Sequence, residues 1–293
     1  MSAIPTERRA ARAIRSSPAE PAPGLEVMRP LPGPDIELLG PFLLLDHFGP
    51  KRVAPGDYGG LNPHPHRGFE TVTLILEGAM EHQDSSGGQG VIRPGGVQWM
   101  TAASGIVHAE YHEREFARQG GSLHGIQLWV NLPARFKMEP PKYQDLPAER
   151  IPVIESGGAR IRVVAGSLLG AQGPAKTYTP VTVAHLTLSA GARIQLPVPA
   201  GQAAGVYAIR GSGSAGGRQF SALTLIEFEN SGETIALSAA EPADLLLIAG
   251  EPIDEPVVAW GPFVMNTSEE ILQARKDFAA GRMGTLNPRV PTV

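Results

Sequence analysis

The chain contains no cysteine, which excludes disulfides and thiolate metal sites and leaves histidine and carboxylate side chains as the candidate ligands for any metal. It also lacks an excess of positive charge. With a formal net charge of -4 and a pI near 6.1, it has no basic footprint of the kind that nucleic-acid binders carry, so direct nucleic-acid partners are not expected. No apolar stretch approaches the roughly 18 uncharged residues that a membrane span needs, and the N-terminus lacks the apolar core of a secretory signal. These absences predict a cytoplasmic protein with no membrane partner. Arg8, Arg9, Arg12 and Arg15 read as a solvated tail or a first edge strand rather than as a transit peptide.

What the chain does hold is glycine, proline and short apolar runs. There are 35 glycines and 28 prolines, yet 42% of the residues are hydrophobic, a combination that means many turns between many short strands rather than disorder. Alternation predicts strands at 25–28, 42–45, 70–76 and 79–83 in the first half. In the second half it predicts them at 161–165, 181–188, 192–196, 205–209, 223–228 and 245–248. The fold expected is all-β: two tandem antiparallel barrels of jelly-roll type.

The chemistry is concentrated between Leu61 and Glu113, which holds five of the eight histidines. Two short pairs stand out, His64-Pro65-His66 and His108-Ala109-Glu110. Residues two apart on a strand share a face, roughly 6.6 Å apart along it, so each pair offers two ligand groups side by side. Two such strands facing one space would bring together His64, His66, His108 and Glu110. Three neutral imidazoles and one carboxylate suit a first-row transition metal better than calcium or magnesium, which prefer oxygen throughout. Glycine-rich turns at Gly87-Gly88 and Pro94-Gly95-Gly96 supply the hairpins that let separated strands meet. His112 shares the parity of His108 and Glu110 but lies at the far end of roughly 13 Å of strand, too far for one ion to span. His82 reads as an exposed hairpin residue or a neighbour of the metal, and His47 and His185 as structural histidines.

The same residues carry a resemblance. The run 62–73 (NPHPHRGFETVT), the run 95–110 (GGVQWMTAASGIVHAE), the segment 125–133 (GIQLWVNLP) and the segment 261–267 (GPFVMNT) are similar to the pirin family of the cupin superfamily. The resemblance implies a bicupin with one metal in the N-terminal barrel, held by His64, His66, His108 and Glu110. It implies iron(II), with nickel, copper, cobalt, manganese and zinc left open. Bacterial pirins with quercetin 2,3-dioxygenase activity imply a metal-dependent dioxygenase. Its partners would be a small aromatic substrate such as a flavonol, and O2; the central ring would be cleaved, carbon monoxide released, and Glu110 would act as a base. Other pirins imply a different class, a metal- or redox-dependent interaction protein that regulates a protein partner without turnover.

The domain organisation expected is an N-terminal metal-binding barrel at 1–133, a charged, proline-rich linker at 134–141 and a C-terminal barrel at 142–293 without metal, since His185 is the only histidine after residue 150. One helix is legible near the end. Thr267 and Glu270 have capping-box spacing, Ile271, Leu272, Arg275, Phe278 and Ala279 are read as its apolar face, and Gly281 stops it.

Overall fold

The computed structural model describes residues 6–289. Strands dominate it, and the chain forms two cupin-type domains, each built from antiparallel sheets, with a helix near the C-terminus.

The two compact units are not sequential halves. One comprises the described residues of Met1–Ala19 together with Met28–Leu45 and Glu149–Pro252; the other comprises Glu20–Val27, Asp46–Ala148 and the described residues of Ile253–Val293. The ends of the chain are therefore exchanged relative to the expected division at 133 and 142. The reason is long-range pairing that composition does not reveal. The strand Ala10–Arg15 pairs with Thr224–Phe228, and Arg67 bridges Phe263. The expected linker at 134–141 is an integral part of its unit. Its first residues form a 3-10 turn, Ala134–Phe136, Lys137 is buried, and the next strand, Lys142–Leu146, pairs with Val97–Thr101.

The unit holding Glu149–Pro252 has a seven-stranded sheet ordered Ala10–Arg15, Thr224–Phe228, Ala203–Arg210, Ala243–Gly250, Val181–Leu188, Ala159–Ala165 and Val153–Ser156. A four-stranded sheet accompanies it, ordered Arg193–Pro197, Thr234–Ala239, Ser212–Ala215 and Arg218–Ser221. Inward positions of both, such as Ile161, Leu186, Val206, Leu196 and Leu237, form one buried apolar cluster. By the two-residue period, Ala184 and Leu186 enter that cluster while His185 points to the other face, where its ring lies 3.8 Å from Asp244. Arg8 is not a solvated tail residue: it is buried, and its guanidinium donates to the carbonyls of Gly232, Gln202, Glu229 and Pro199.

In the other unit a four-stranded sheet, ordered Gly60–His66, Ile106–His112, Met80–Asp84 and Gln89–Ile92, faces the strands Lys142–Leu146, Val97–Thr101, Phe69–Glu77 and Gly121–Asn131 of a larger sheet. The apolar run at 42–45 does not stop at Asp46-His47 but continues as one strand, Phe42–Val53.

The helix Ser268–Ala279 carries the expected capping box, with both the Thr267 and the Glu270 side-chain bonds present. Its buried face differs from expectation: Ile271 and Ala274 are buried, whereas Leu272 and Phe278 are exposed. Ile271 and Ala274 pack with Val107, Phe263, Met265 and Met283. Val107 directly precedes the ligand candidate His108 on its strand and so points to the opposite face; the helix thus braces the back of the strand whose alternate residues face inward.

Candidate metal centre

The two ligand-bearing segments become hydrogen-bonded neighbours. Gly60–His66 and Ile106–His112 pair antiparallel, with His108 opposite His64 and Ile106 opposite His66, and the register slips between His108 and Glu110 so that Glu110 stands opposite Leu61. Three ring nitrogens, from His64, His66 and His108, converge within 4.8 Å of one another. The ring centroids of His64 and His108 are 4.3 Å apart, and those of His66 and His108 4.9 Å.

Each ring is held from behind. His64 Nδ1 contacts the Asn62 carbonyl at 2.8 Å, and His66 Nδ1 the Pro262 carbonyl at 3.4 Å, so both rings are oriented with Nε2 free to face a metal. The His66 ring also stands edge-on to Phe69 and Trp129, with centroids 5.1 and 5.3 Å away. Gly68 makes this approach feasible. At φ 91°, a Cβ there would lie 1.9 Å from the Val264 carbonyl oxygen, and the Arg67–Phe263 bridge would have to part.

His108 is 1% exposed and its Nε2 has no hydrogen-bond partner among the described residues. A buried, unpaired imidazole nitrogen aimed beside two others is costly in a closed protein and natural for a metal ligand. Burial, and then the neighbouring imidazole His64, holds the His66 pKa well below the ordinary value; His108 is lowered likewise by burial and by His64, His66 and His82. Both rings are therefore neutral near pH 7, the form that ligates. The donor set fits a single transition-metal ion.

Glu110 stands in a second convergent group, with His108 and His82. Its Oε1 accepts from Gln98 Nε2 at 2.9 Å and Thr73 Oγ1 at 3.2 Å, and Gln127 in turn donates to Thr73. These three polar residues come from strands of the larger sheet, so that sheet holds a carboxylate carried by the smaller one. His112 is not in either group; its Nδ1 contacts the Asp57 carbonyl at 2.9 Å. His82 is fully buried, not an exposed hairpin residue. Beside Glu110 lies a cavity of about 250 Å³ whose lining includes Thr73, Gln127, His112, Phe48, Met80 and Leu123. It offers apolar walls and, at Glu110, Thr73 and Gln127, polar groups close to the histidine cluster.

The Pirin family model matches residues 24–130, which contain every one of these ligand candidates, and the Pirin C-terminal cupin domain matches residues 183–284. The chain belongs to the pirin family. A Pseudomonas aeruginosa relative provisionally named a quercetin 2,3-dioxygenase is 44% identical over 247 residues, 83% of this chain and 86% of that protein. Pirin of Rattus norvegicus is 41% identical over 89% of this chain and 88% of its own. The crystal structure of a quercetin 2,3-dioxygenase from Acinetobacter baumannii superimposes with a TM-score of 0.91 at 38% identity, covering 96% of this chain and all (100%) of that one.

Within this pirin chain, sequence reasoning missed Thr73, Gln98, Gln127, Asp84 and Lys137. A signal existed for two of them: Asp84 closes His82-Gln83-Asp84, a third pair of polar residues two apart, between the pairs His64/His66 and His108/Glu110. Gln98 could be found by parity, as a buried amide in the run Val97–Thr101. Lys137 had none; nothing local marks a lysine in a charged, proline-rich segment as buried.

Proposed function

We propose that this pirin is a metal-dependent dioxygenase acting on a small aromatic substrate of the flavonol type, with one divalent transition metal held by His64, His66, His108 and Glu110. The observation that carries the reading is the convergence of the His64, His66 and His108 rings, the last two buried, with an orphaned His108 Nε2, next to a cavity whose polar end is Glu110. Its likeness to proteins named quercetin 2,3-dioxygenase supports the substrate class.

Iron(II) is the metal proposed. When bound, it would supply a Lewis-acidic position for a hydroxyl–carbonyl edge and a redox partner for dioxygen. The chain's own part is to orient and to exclude water. His64 and His66 are fixed by backbone carbonyls, Phe48, Met80 and Leu123 form the apolar wall for a planar substrate, and Glu110 is the base that accepts the substrate's hydroxyl proton. Gln98 and Thr73 fix Glu110 through one oxygen. In the overall reaction both atoms of O2 enter the cleaved product and one carbon leaves as carbon monoxide.

The test is to load the protein with iron(II), supply quercetin under air, and follow loss of flavonol absorbance together with carbon monoxide release. Turnover that is abolished, along with metal content, in His66→Ala and His108→Ala supports the reading. A fully loaded protein that turns over no flavonol with any divalent metal refutes it, and moves the weight to a metal-dependent interaction protein.

A further inference from the structure

His82 and Asp84 are buried, lie outside the proposed ligand set, and form one line with His108. We infer that Asp84 and His82 are positioning residues which, through a chain of two hydrogen bonds, lock His108 in the tautomer whose Nε2 carries the bare lone pair. The inference rests on the reading of His108 as a metal ligand.

The chain begins at a tight turn. Asp84 Oδ1 accepts from the Ser86 amide at 2.8 Å, the Ser86 hydroxyl at 2.7 Å and the Gly88 amide at 3.0 Å. Gly88 is required for this, because a Cβ there would sit 2.1 Å from Asp84 Oδ2. Burial pushes the Asp84 carboxyl up, but the hydrogen bonds from His82, Ser86 and Gly88 outweigh it and hold its pKa below the ordinary value. The carboxylate is therefore an acceptor only.

Its other oxygen, Oδ2, faces His82 Nε2 at 3.1 Å. An acceptor there requires a proton on His82 Nε2, and in a singly protonated ring that leaves Nδ1 bare. His82 Nδ1 lies 3.4 Å from His108 Nδ1, so His108 must be the donor of that pair. One proton on Nδ1 leaves Nε2 free, and Nε2 is the buried atom with no partner among the described residues. The His82 ring is kept in line by Tyr143, stacked on it with centroids 4.5 Å apart and planes 10° apart. Both nitrogens of His82 are thus engaged, which explains how His82 can stand in a convergent group with His108 and Glu110 and serve as a hydrogen-bond partner rather than as a ligand. A carboxylate behind a ligating histidine is a recurrent way to fix its tautomer and raise its basicity; here an extra imidazole is interposed.

Asp84→Asn inverts the chain without changing its shape. The two backbone amides at Oδ1 demand that the asparagine oxygen take that place, which turns its NH2 toward His82 Nε2. His82 must then accept at Nε2, donate from Nδ1, and force the His108 proton onto Nε2.

The experiment has two parts. On the metal-free protein, two-bond 1H–15N correlation spectra should show His82 protonated at Nε2 and His108 at Nδ1; a His108 protonated at Nε2 overturns the proposal, and this reading needs neither a variant nor metal. Zinc affinity is then measured by competition with a chelator. Asp84→Asn and His82→Phe should each weaken it about 10- to 100-fold. In a His82→Phe background, Asp84→Asn should add no further loss, since it acts only through His82. Unchanged zinc affinity in folded Asp84→Asn, or a full additional loss in the double variant, overturns the proposal. Failure of the wild type to bind zinc or iron would instead sink the proposed function, while the tautomers remain measurable.

Discussion

Replacing Lys137 with methionine should destabilise the unit that carries the histidine cluster, and the sign of the effect follows from two opposed magnitudes. Lys137 is 1% exposed, and its ammonium donates to the Gly68 carbonyl at 2.6 Å, Asn131 Oδ1 at 2.6 Å and the Val264 carbonyl at 3.0 Å. It thereby ties the turn after His66 to the strand Phe263–Met265. Methionine fills the same space with no donor and orphans the Gly68 and Val264 carbonyls, whereas Asn131 Oδ1 keeps the Leu132 amide at 3.0 Å; at about 1–3 kcal/mol for each orphaned acceptor the loss is roughly 2–6 kcal/mol in all. Against this, the substitution removes a buried charge. Burial lowers the Lys137 pKa from 10.5 to about 8, partly opposed by Glu255 and Glu270, and at about 1.36 kcal/mol per unit that shift is roughly 3 kcal/mol.

The hydrogen bonds win by about 1 kcal/mol at the middle of that range and by about 3 kcal/mol at its upper end, which corresponds to a melting point lower by roughly 2–12 °C. Urea titration followed by tryptophan fluorescence measures the difference directly. The same group has a pH signature. Its folded pKa is depressed, so its contribution is complete above the unfolded value of 10.5 and is lost as pH falls through about 8; wild-type stability should gain this increment between those limits and Lys137→Met should not. A Lys137→Met protein as stable as wild type at pH 7, or more so, would refute the reasoning by showing that desolvation outweighs the three bonds.

Other outcomes follow from the same structure. Glu110→Gln, compared with wild type at matched metal occupancy, should keep much of the metal on three imidazoles but lose most turnover, with substrate supplied neutral and pre-ionised; full activity would remove Glu110 as the base. Truncation before Thr267 should expose Val107, Phe263 and Met265 and leave the buried Arg67 without Asp277, its ion-pair partner at 2.7 Å. An uncompensated buried charge alone costs about 3–5 kcal/mol, so the truncated chain should aggregate or melt markedly earlier, and unchanged melting would contradict the bracing role. His47, whose pKa is lowered to about 4 by burial and by His124, refuses a proton that the unfolded chain takes up below its ordinary 6.5. Stability should therefore fall as pH drops across that window, by roughly 3 kcal/mol from this group, and His47→Phe should flatten the dependence measured by urea titration at pH 7, 5.5 and 4.5.

The sequence by itself determined the all-β class, because alternation with glycine and proline turns permits little else, and strands predicted at 161–165, 181–188 and 223–228 lie where the alternation puts them. It also determined the candidate ligands, since two residues of one parity on one strand must share a face whatever surrounds them. The capping box at Thr267 was legible for the same reason: it is a rule of local geometry.

Only the tertiary structure decided what depends on partners distant in sequence. That His64 stands opposite His108, and that a register slip in the same pair sets Glu110 opposite Leu61, is a matter of strand register across more than forty residues. Which end of the chain joins which unit was set by the pairing of Ala10–Arg15 with Thr224–Phe228 and of Arg67 with Phe263. The burial of Lys137, Arg8 and His82 was equally invisible, for a charged or polar side chain is buried only when acceptors from several strands converge on it, and no local pattern records that convergence. The helix face shows the boundary most plainly. Periodicity located the helix, but Leu272 and Phe278 stay exposed while Ala274 is buried, because the residues distant in sequence that cover the helix, Val107, Phe263 and Met265, pack against Ile271 and Ala274.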